Sequence, residues 1–194
     1  MRTNNVHTTL YSTIIVHNTL NSHHLPANPS GVQWRIHKYE RANLMAKLSD
    51  ILKVAQQRGR ETNLPYEGSL TPVEAYEILN ESPIARLIDV RTQAEVDWVG
   101  YVAGALTIEW QGYPDRLPNL QFIEQLKAAA PDDALLLFLC RSGVRSGLAA
   151  GAATAAGFTG CYNVLQGFEG DRDHEGHRNS INGWRAAGLP WKQS

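Results

Sequence analysis

A chain of 194 residues has room for one domain of ordinary size with a real core. Hydrophobic residues at 43%, charged residues at 19% and a net charge of −1 describe a globular protein with no electrostatic footprint for nucleic acid or a membrane surface. No apolar run approaches the roughly 18 residues of a membrane span. Two cysteines, Cys140 and Cys161, form no disulfide framework, so a reducing, cytoplasmic setting is expected.

Residues 1–44 are rich in Asn, Thr and His, hold five of the seven histidines, and have Glu40 as their only acid. The apolar stretch Tyr11-Ser-Thr-Ile-Ile-Val16 is too short, and too soon broken by His17 and Asn18, for the centre of a signal peptide. We expect 1–44 to be a disordered extension, or sequence upstream of a true start at Met45. The pair His23-His24 has no Cys or carboxylate nearby and reads as polar tail rather than a metal site. Leu44, Leu48, Ile51, Leu52 and Ala55 then repeat at steps of three and four, which predicts a helix in the segment 45–63. Pro65 and Gly68 suggest a linker, and Thr71-Pro72-Val-Glu74 a capped helix start.

Strands and helices alternate from there. Ala85 to Val90 and Gly104 to Ile108 read as strands, and Leu120 to Ala129 as a helix. Ala134 to Leu139 is a continuous apolar run, as in a strand buried on both faces. Ser146 to Gly157 is a helix of small residues, and Tyr162 to Leu165 a last strand. This pattern predicts an α/β fold with a parallel sheet of about five strands and helices on both faces, forming one domain over 64–192.

Chemistry concentrates in Leu139-Cys140-Arg141-Ser142-Gly143-Val144-Arg145-Ser146-Gly147, where a buried strand turns into a helix. Ligands of open α/β sheets bind at that edge. The helix start offers free N–H groups and a positive dipole end, and Gly143 lets the loop curl so that these groups converge. Arg141 and Arg145 add charge, which favours a thiolate at Cys140, the nucleophilic form. A structural cysteine at a strand end is the alternative.

These residues resemble the rhodanese family of sulfurtransferases. Asp89-Val90-Arg91 is similar to the family's Asp-x-Arg. Glu95 with Gly100-Tyr-Val-Ala-Gly-Ala105 resembles its Glu…Gly-His-Ile-x-Gly-Ala, with Tyr101 in place of His. Leu165-Gln-Gly167 resembles its Leu-x-Gly-Gly, with Phe168 where a second Gly is common. The resemblance implies a rhodanese-like fold and sulfur transfer from thiosulfate or a similar small donor, through a Cys140 persulfide, to cyanide, a thiol or a protein. It implies no metal and no organic cofactor. Cys140 would be catalytic, with Arg141, Ser142, Gly143, Val144, Arg145 and Ser146 binding substrate and Asp89 and Arg91 bracing the loop; a purely structural ion pair is the alternative for the last two. Related cysteine phosphatases place five residues between Cys and Arg, whereas four separate Cys140 from Arg145, as in the sulfurtransferase loop. Two other readings stay open: a persulfide relay acting on a protein partner, and a phosphatase or arsenate reductase of the same fold.

Elsewhere, Asp171-Arg-Asp173-His-Glu175-Gly176 looks like half of a calcium loop, but its twelfth position is Asn182, which supplies no bidentate carboxylate. His174 and His177 read as a polar turn, and Cys161, without basic neighbours, as structural. Trp110 and Phe168 follow strand ends and either wall the pocket or pack the core.

Overall fold

The computed structural model describes residues 31–131 and 133–193, with side chains from residue 38. Five strands form one parallel sheet: β1 (Gly68–Leu70), β2 (Ala85–Asp89), β3 (Leu106–Thr107), β4 (Leu135–Leu139) and β5 (Cys161–Val164). Their order is β1-β5-β4-β2-β3, with Asp89 level with Leu139 and Phe138 level with Asn163. Among the described residues five helices accompany them: α1 (Gly31–Glu61), α2 (Pro72–Glu81), α3 (Gln93–Val99), α4 (Phe122–Ala129) and α5 (Val144–Ala155).

The central strand β4 is buried at all five positions, which is why it carries no polar residue. One face, through Leu136 and Phe138, joins a core with Ile88, Phe122 and Leu126 of α4, and Ala149, Ala150 and Ala153 of α5. The alanines of α5 bring its backbone close to the sheet. Helix α2 packs toward β1 and β2. It starts with the expected capping box: the Glu74 N–H donates to Thr71 Oγ1 at 3.3 Å, and the Thr71 N–H donates to Glu74 Oε2 at 2.7 Å.

The α/β fold, the parallel five-stranded sheet and the helices on its faces agree with expectation; three local features do not. Helix α1 begins at Gly31, not in the region of residue 45, and its positions 38–43 are exposed. Lys, Arg, Glu, Ala, Met and Leu are good helix formers, and a polar helix shows no apolar onset to read. Residues 1–30, with the His23-His24 pair, lie outside the described residues. Gly68–Leu70 is a strand, not a linker, since pairing with Tyr162–Val164 outweighs its weak intrinsic preference. Helix α3 was not anticipated.

The chain divides into two compact units, 1–50 and 51–194. Within the second, Gln56 donates to Tyr162 Oη and to Glu67 Oε1, each at 3.0 Å, and Arg58 holds Glu74 through both guanidinium nitrogens. The C-terminal tail also belongs to it. Trp184 is fully buried against Tyr76, and Lys192 bridges to Tyr101.

Candidate functional site

All strands run the same way, so the segments after β2, β3, β4 and β5 meet at one edge of the sheet. Cys140 follows β4 there, 1% exposed. Gly143 takes the left-handed conformation (φ 91°) at the N-cap of α5, which turns its N–H back toward Cys140 Sγ at 3.2 Å. Ser146, one turn into the helix, presents its hydroxyl to the same sulfur at 3.2 Å. Its other neighbour is Asn163 Oδ1 at 2.7 Å, while Asn163 Nδ2 donates to the Gly143 carbonyl at 3.1 Å. Asn163 of β5 thus holds both groups that face the sulfur. The Gly143 N–H and the N-terminus of α5 face Sγ, while the Ser146 hydroxyl proton goes to Asn163 Oδ1.

The segment after β5 supports the loop from below. Phe168 N–H donates to the Cys140 carbonyl at 2.7 Å, and Glu169 N–H to that of Arg141 at 2.9 Å. A Cβ on Gly167 (φ 60°) would lie 2.2 Å from the Cys140 carbonyl oxygen, so only glycine fits.

Arg145 does not stand free as its sequence position suggests. It grips Glu95 with two hydrogen bonds, Nη1 to Oε2 at 2.7 Å and Nη2 to Oε1 at 2.6 Å. Burial raises the Glu95 carboxyl, but the Arg145 guanidinium and the Thr92 N–H outweigh it and hold the group down at about 2. The same Glu95 closes the capping box that starts α3, donated to by Thr92 N–H at 3.1 Å. Thr92-x-x-Glu95 is therefore the signal for α3, and the one that could have found Glu95 as a site residue.

Asp89 and Arg91 form a buried pair, 1% and 0% exposed at their side chains, with Arg91 Nη2 2.6 Å from Asp89 Oδ2. Arg91 also donates to the Gly100 carbonyl at 2.8 Å, and its guanidinium lies 4.1 Å over the Phe168 ring. It ties the end of β2, the end of α3 and the turn beneath Cys140 together.

A cavity of about 430 Å³ opens over Cys140, lined by Thr92, Glu95, Arg141, Ser142, Val144 and Arg145 on one side. The loop from Gln111 to Arg116 walls the other, a wall that sequence reading missed because nothing in it is periodic or motif-like. Trp110 and Phe168 are not in the lining. Trp110 packs edge-on to Phe122 at 5.1 Å, and Phe168 lies between Arg91 and Trp191.

Cys161 sits in β5, 1% exposed, and burial pushes its thiol up to about 11. Asp173 receives the N–H groups of Glu175 and His177 and the Ser180 hydroxyl, so the calcium-like segment is a turn closed on its own carboxylate. His174 and His177 are exposed on that turn, and no group of three metal-ligating side chains occurs among the described residues. No helix of the described residues is long and apolar enough to cross a membrane.

A parallel sheet of this order, with a cysteine loop at its C-terminal edge, defines a class that the comparisons name. The rhodanese-like domain matches residues 71–174, more than half of the chain, and the chain belongs to that family. It is similar to Rv0390 from M. tuberculosis, known from its crystal structure: identity is 43%, 66% of this chain and 99% of that one are covered, and the TM-score is 0.61. An uncharacterized protein of Rickettsia rickettsii is 35% identical over 129 residues, covering 64% of this chain and 96% of its own. One from Rickettsia prowazekii is 32% identical over 135 residues, with the same shares.

Proposed function

We propose that the chain is a sulfurtransferase that carries sulfur on Cys140, and that its small-molecule donor is thiosulfate. The domain doing so runs over 64–192. The observation that carries this reading is the Gly143 N–H, at the N-terminus of α5, 3.2 Å from a sulfur at the floor of a cavity. A thiolate held this way attacks the outer sulfur of thiosulfate; the S–S bond of the donor breaks, sulfite leaves with its electron pair, and Cys140 keeps a persulfide. An acceptor thiolate, or cyanide, then attacks the outer sulfur, and Cys140 thiolate is the leaving group. No oxidant or reductant enters either step.

Loop geometry favours sulfur over phosphate as cargo. Four residues separate Cys140 from Arg145, one fewer than in the related phosphatases, and Arg145 is held by Glu95. Arg141 remains as the loop's uncommitted cation, and its Nε is buried with no partner. That suits a dianion entering the cavity.

The test is intact mass after incubation with thiosulfate. One added sulfur atom, removed by cyanide, is expected in the parent and in Cys161→Ser, and none in Cys140→Ser. A parent that gains no sulfur, or a Cys161→Ser protein that loses the gain, would overturn the assignment.

A further inference from the structure

Asn163 is a polar side chain in a strand buried at all four positions, which costs stability unless its amide is hydrogen-bonded. Both ends of that amide are committed to the cysteine loop and its helix. Nδ2 donates to the Gly143 carbonyl at 3.1 Å, and Oδ1 meets the Ser146 hydroxyl at 2.7 Å. The side chain is seated under Gly147, where an added Cβ would lie 3.4 Å from Nδ2. These contacts fix where the protons lie. A carbonyl oxygen only accepts, so the amide nitrogen faces Gly143 and the amide oxygen faces Ser146. That amide oxygen also only accepts, so the single hydroxyl proton of Ser146 lies on the Asn163 side. What Ser146 turns toward Cys140 Sγ, 3.2 Å away, is a lone pair. A hydrogen bond spans that gap only when the sulfur carries a proton, with S–H as donor and Ser146 Oγ as acceptor. The Gly143 N–H, also at 3.2 Å, donates to the sulfur in either form.

We infer that Asn163 is a positioning residue that makes Ser146 the acceptor of the Cys140 thiol proton, so that the hydroxyl must turn from Asn163 to the sulfur when the nucleophile forms. This deepens the sulfur-transfer reading, since it concerns how Cys140 becomes the thiolate that attacks. In that step the Cys140 S–H bond breaks, its proton goes to water in the cavity, and the electron pair stays on Sγ. The Ser146 hydroxyl then rotates, gives up Asn163 Oδ1 and donates to Sγ, and the buried amide oxygen loses its partner. A persulfide needs no such rotation, because its charge sits on the outer sulfur and its inner sulfur carries neither proton nor charge. Asn163 therefore resists the bare thiolate and leaves the loaded form alone. The charges around Cys140 are separate from this pair. Arg141 and Arg145 come from its own loop, Glu95 from α3 and Arg116 from the opposite wall. Asp89 and Arg91 stand at the end of the neighbouring strand β2, and β5 contributes no charge.

The test follows alkylation of Cys140 by iodoacetamide against pH, in the full chain carrying Cys161→Ser so that one thiol is read. Ser146→Ala removes the acceptor, and its alkylation midpoint is expected about one pH unit below the parent's, a tenfold change in thiolate. Asn163→Leu frees the hydroxyl to donate to the thiolate and should lower the midpoint further, by about two units. Added to Ser146→Ala, Asn163→Leu should move it no further, because Asn163 acts through Ser146. A midpoint that rises or stays in Ser146→Ala would overturn the inference, since Ser146 would then be a donor to the thiolate or no partner at all. A rise in Asn163→Leu, or a further shift in the double variant, would also overturn it and make Asn163 a brace for the Gly143 turn. The infrared S–H band reads the same bond without disturbing Asn163. It is expected at the lowered frequency of a donated hydrogen bond in the Cys161→Ser protein, and higher in Ser146→Ala. A band at the free-thiol position in both would overturn the inference on its own. None of these readings uses transferred sulfur, so a protein that never gains sulfur refutes the transfer reading and leaves this one to its own test.

Discussion

The ion pair of Glu95 with Arg145 makes the first turn of α5 sensitive to acid. Glu95 is held at about 2, against an ordinary value of 4.5, because Arg145 and the Thr92 N–H outweigh the cost of burying it. A carboxyl depressed in the folded state contributes stability that is fully present above its unfolded value and lost as pH falls toward its folded one. The window is therefore about pH 5 to 2, and the contribution is on the order of 2–3 kcal/mol. Glu95→Gln should be less stable than the parent by that order at pH 7, and the gap should close by pH 2. Urea unfolding of both proteins across that range measures it; a gap that stays constant with pH would show that the pair contributes no pH-dependent stability. Cys140 and its loop were legible in the sequence, because Cys, two Arg and a Gly stand within six consecutive positions. The partner of Arg145 was not, since Glu95 lies fifty residues away and reaches it only through the fold. Asn163 left one trace, a polar residue inside a short buried strand.

At the scale of elements, the cysteine loop is held by the segment that follows β5 as much as by its own helix. Gly167 shows this because its missing Cβ lets the two segments touch: an added methyl would meet the Cys140 carbonyl oxygen at 2.2 Å and the Ser142 nitrogen at 2.7 Å. Gly104 is the natural control. It also has positive φ, 82°, but nothing lies within 4 Å of its would-be Cβ. Gly104→Ala should cost only the left-handed strain, about 1–2 kcal/mol. Gly167→Ala must in addition push the cysteine loop away, so it should cost more than the control and lose sulfur transfer as well. Unfolding midpoints and transfer rates of the two variants decide this; equal losses of stability, or an active Gly167→Ala protein, would mean the contact relaxes easily. Elements with a signal of their own, such as the continuous apolar run of β4 and the apolar spacing of α4, were readable from the chain alone. Those set by partners were not: β1 has three residues and gains its strand character from β5, and α3 is a seven-residue helix whose capping box lies inside the family motif.

The whole molecule carries more chain than its family fold requires. Rv0390 is covered over 99% of its length by 66% of this chain, and the Rickettsia rickettsii relative over 96% by 64%. About a third of the chain is thus additional to what those relatives share. Helix α1 is where the division falls. Its positions 38–43 are exposed, while Leu52 and Ala55 are buried and Gln56 binds Tyr162 of the central sheet. A Cβ on Gly68 would lie 2.3 Å from the Ala55 carbonyl oxygen, so the end of α1 rests directly on β1. Two truncations should therefore behave differently. A chain starting at Met45 loses residues 1–44, of which 38–43 are exposed helix, and should melt within a few degrees of the parent and keep its transfer activity. A chain starting at Leu64 loses the buried end of α1, and with it the hydrogen bonds of Gln56 to Tyr162 and Glu67 and of Arg58 to Glu74. Losing the burial of Leu52 and Ala55, each apolar side chain worth about 1–3 kcal/mol, and hydrogen bonds worth about 1 kcal/mol each costs several kcal/mol. For a domain of this size, that lowers the melting temperature by roughly 10 °C or more. Melting curves of the three chains test the division. A large drop already at Met45 would show that the removed residues contribute to the folded core.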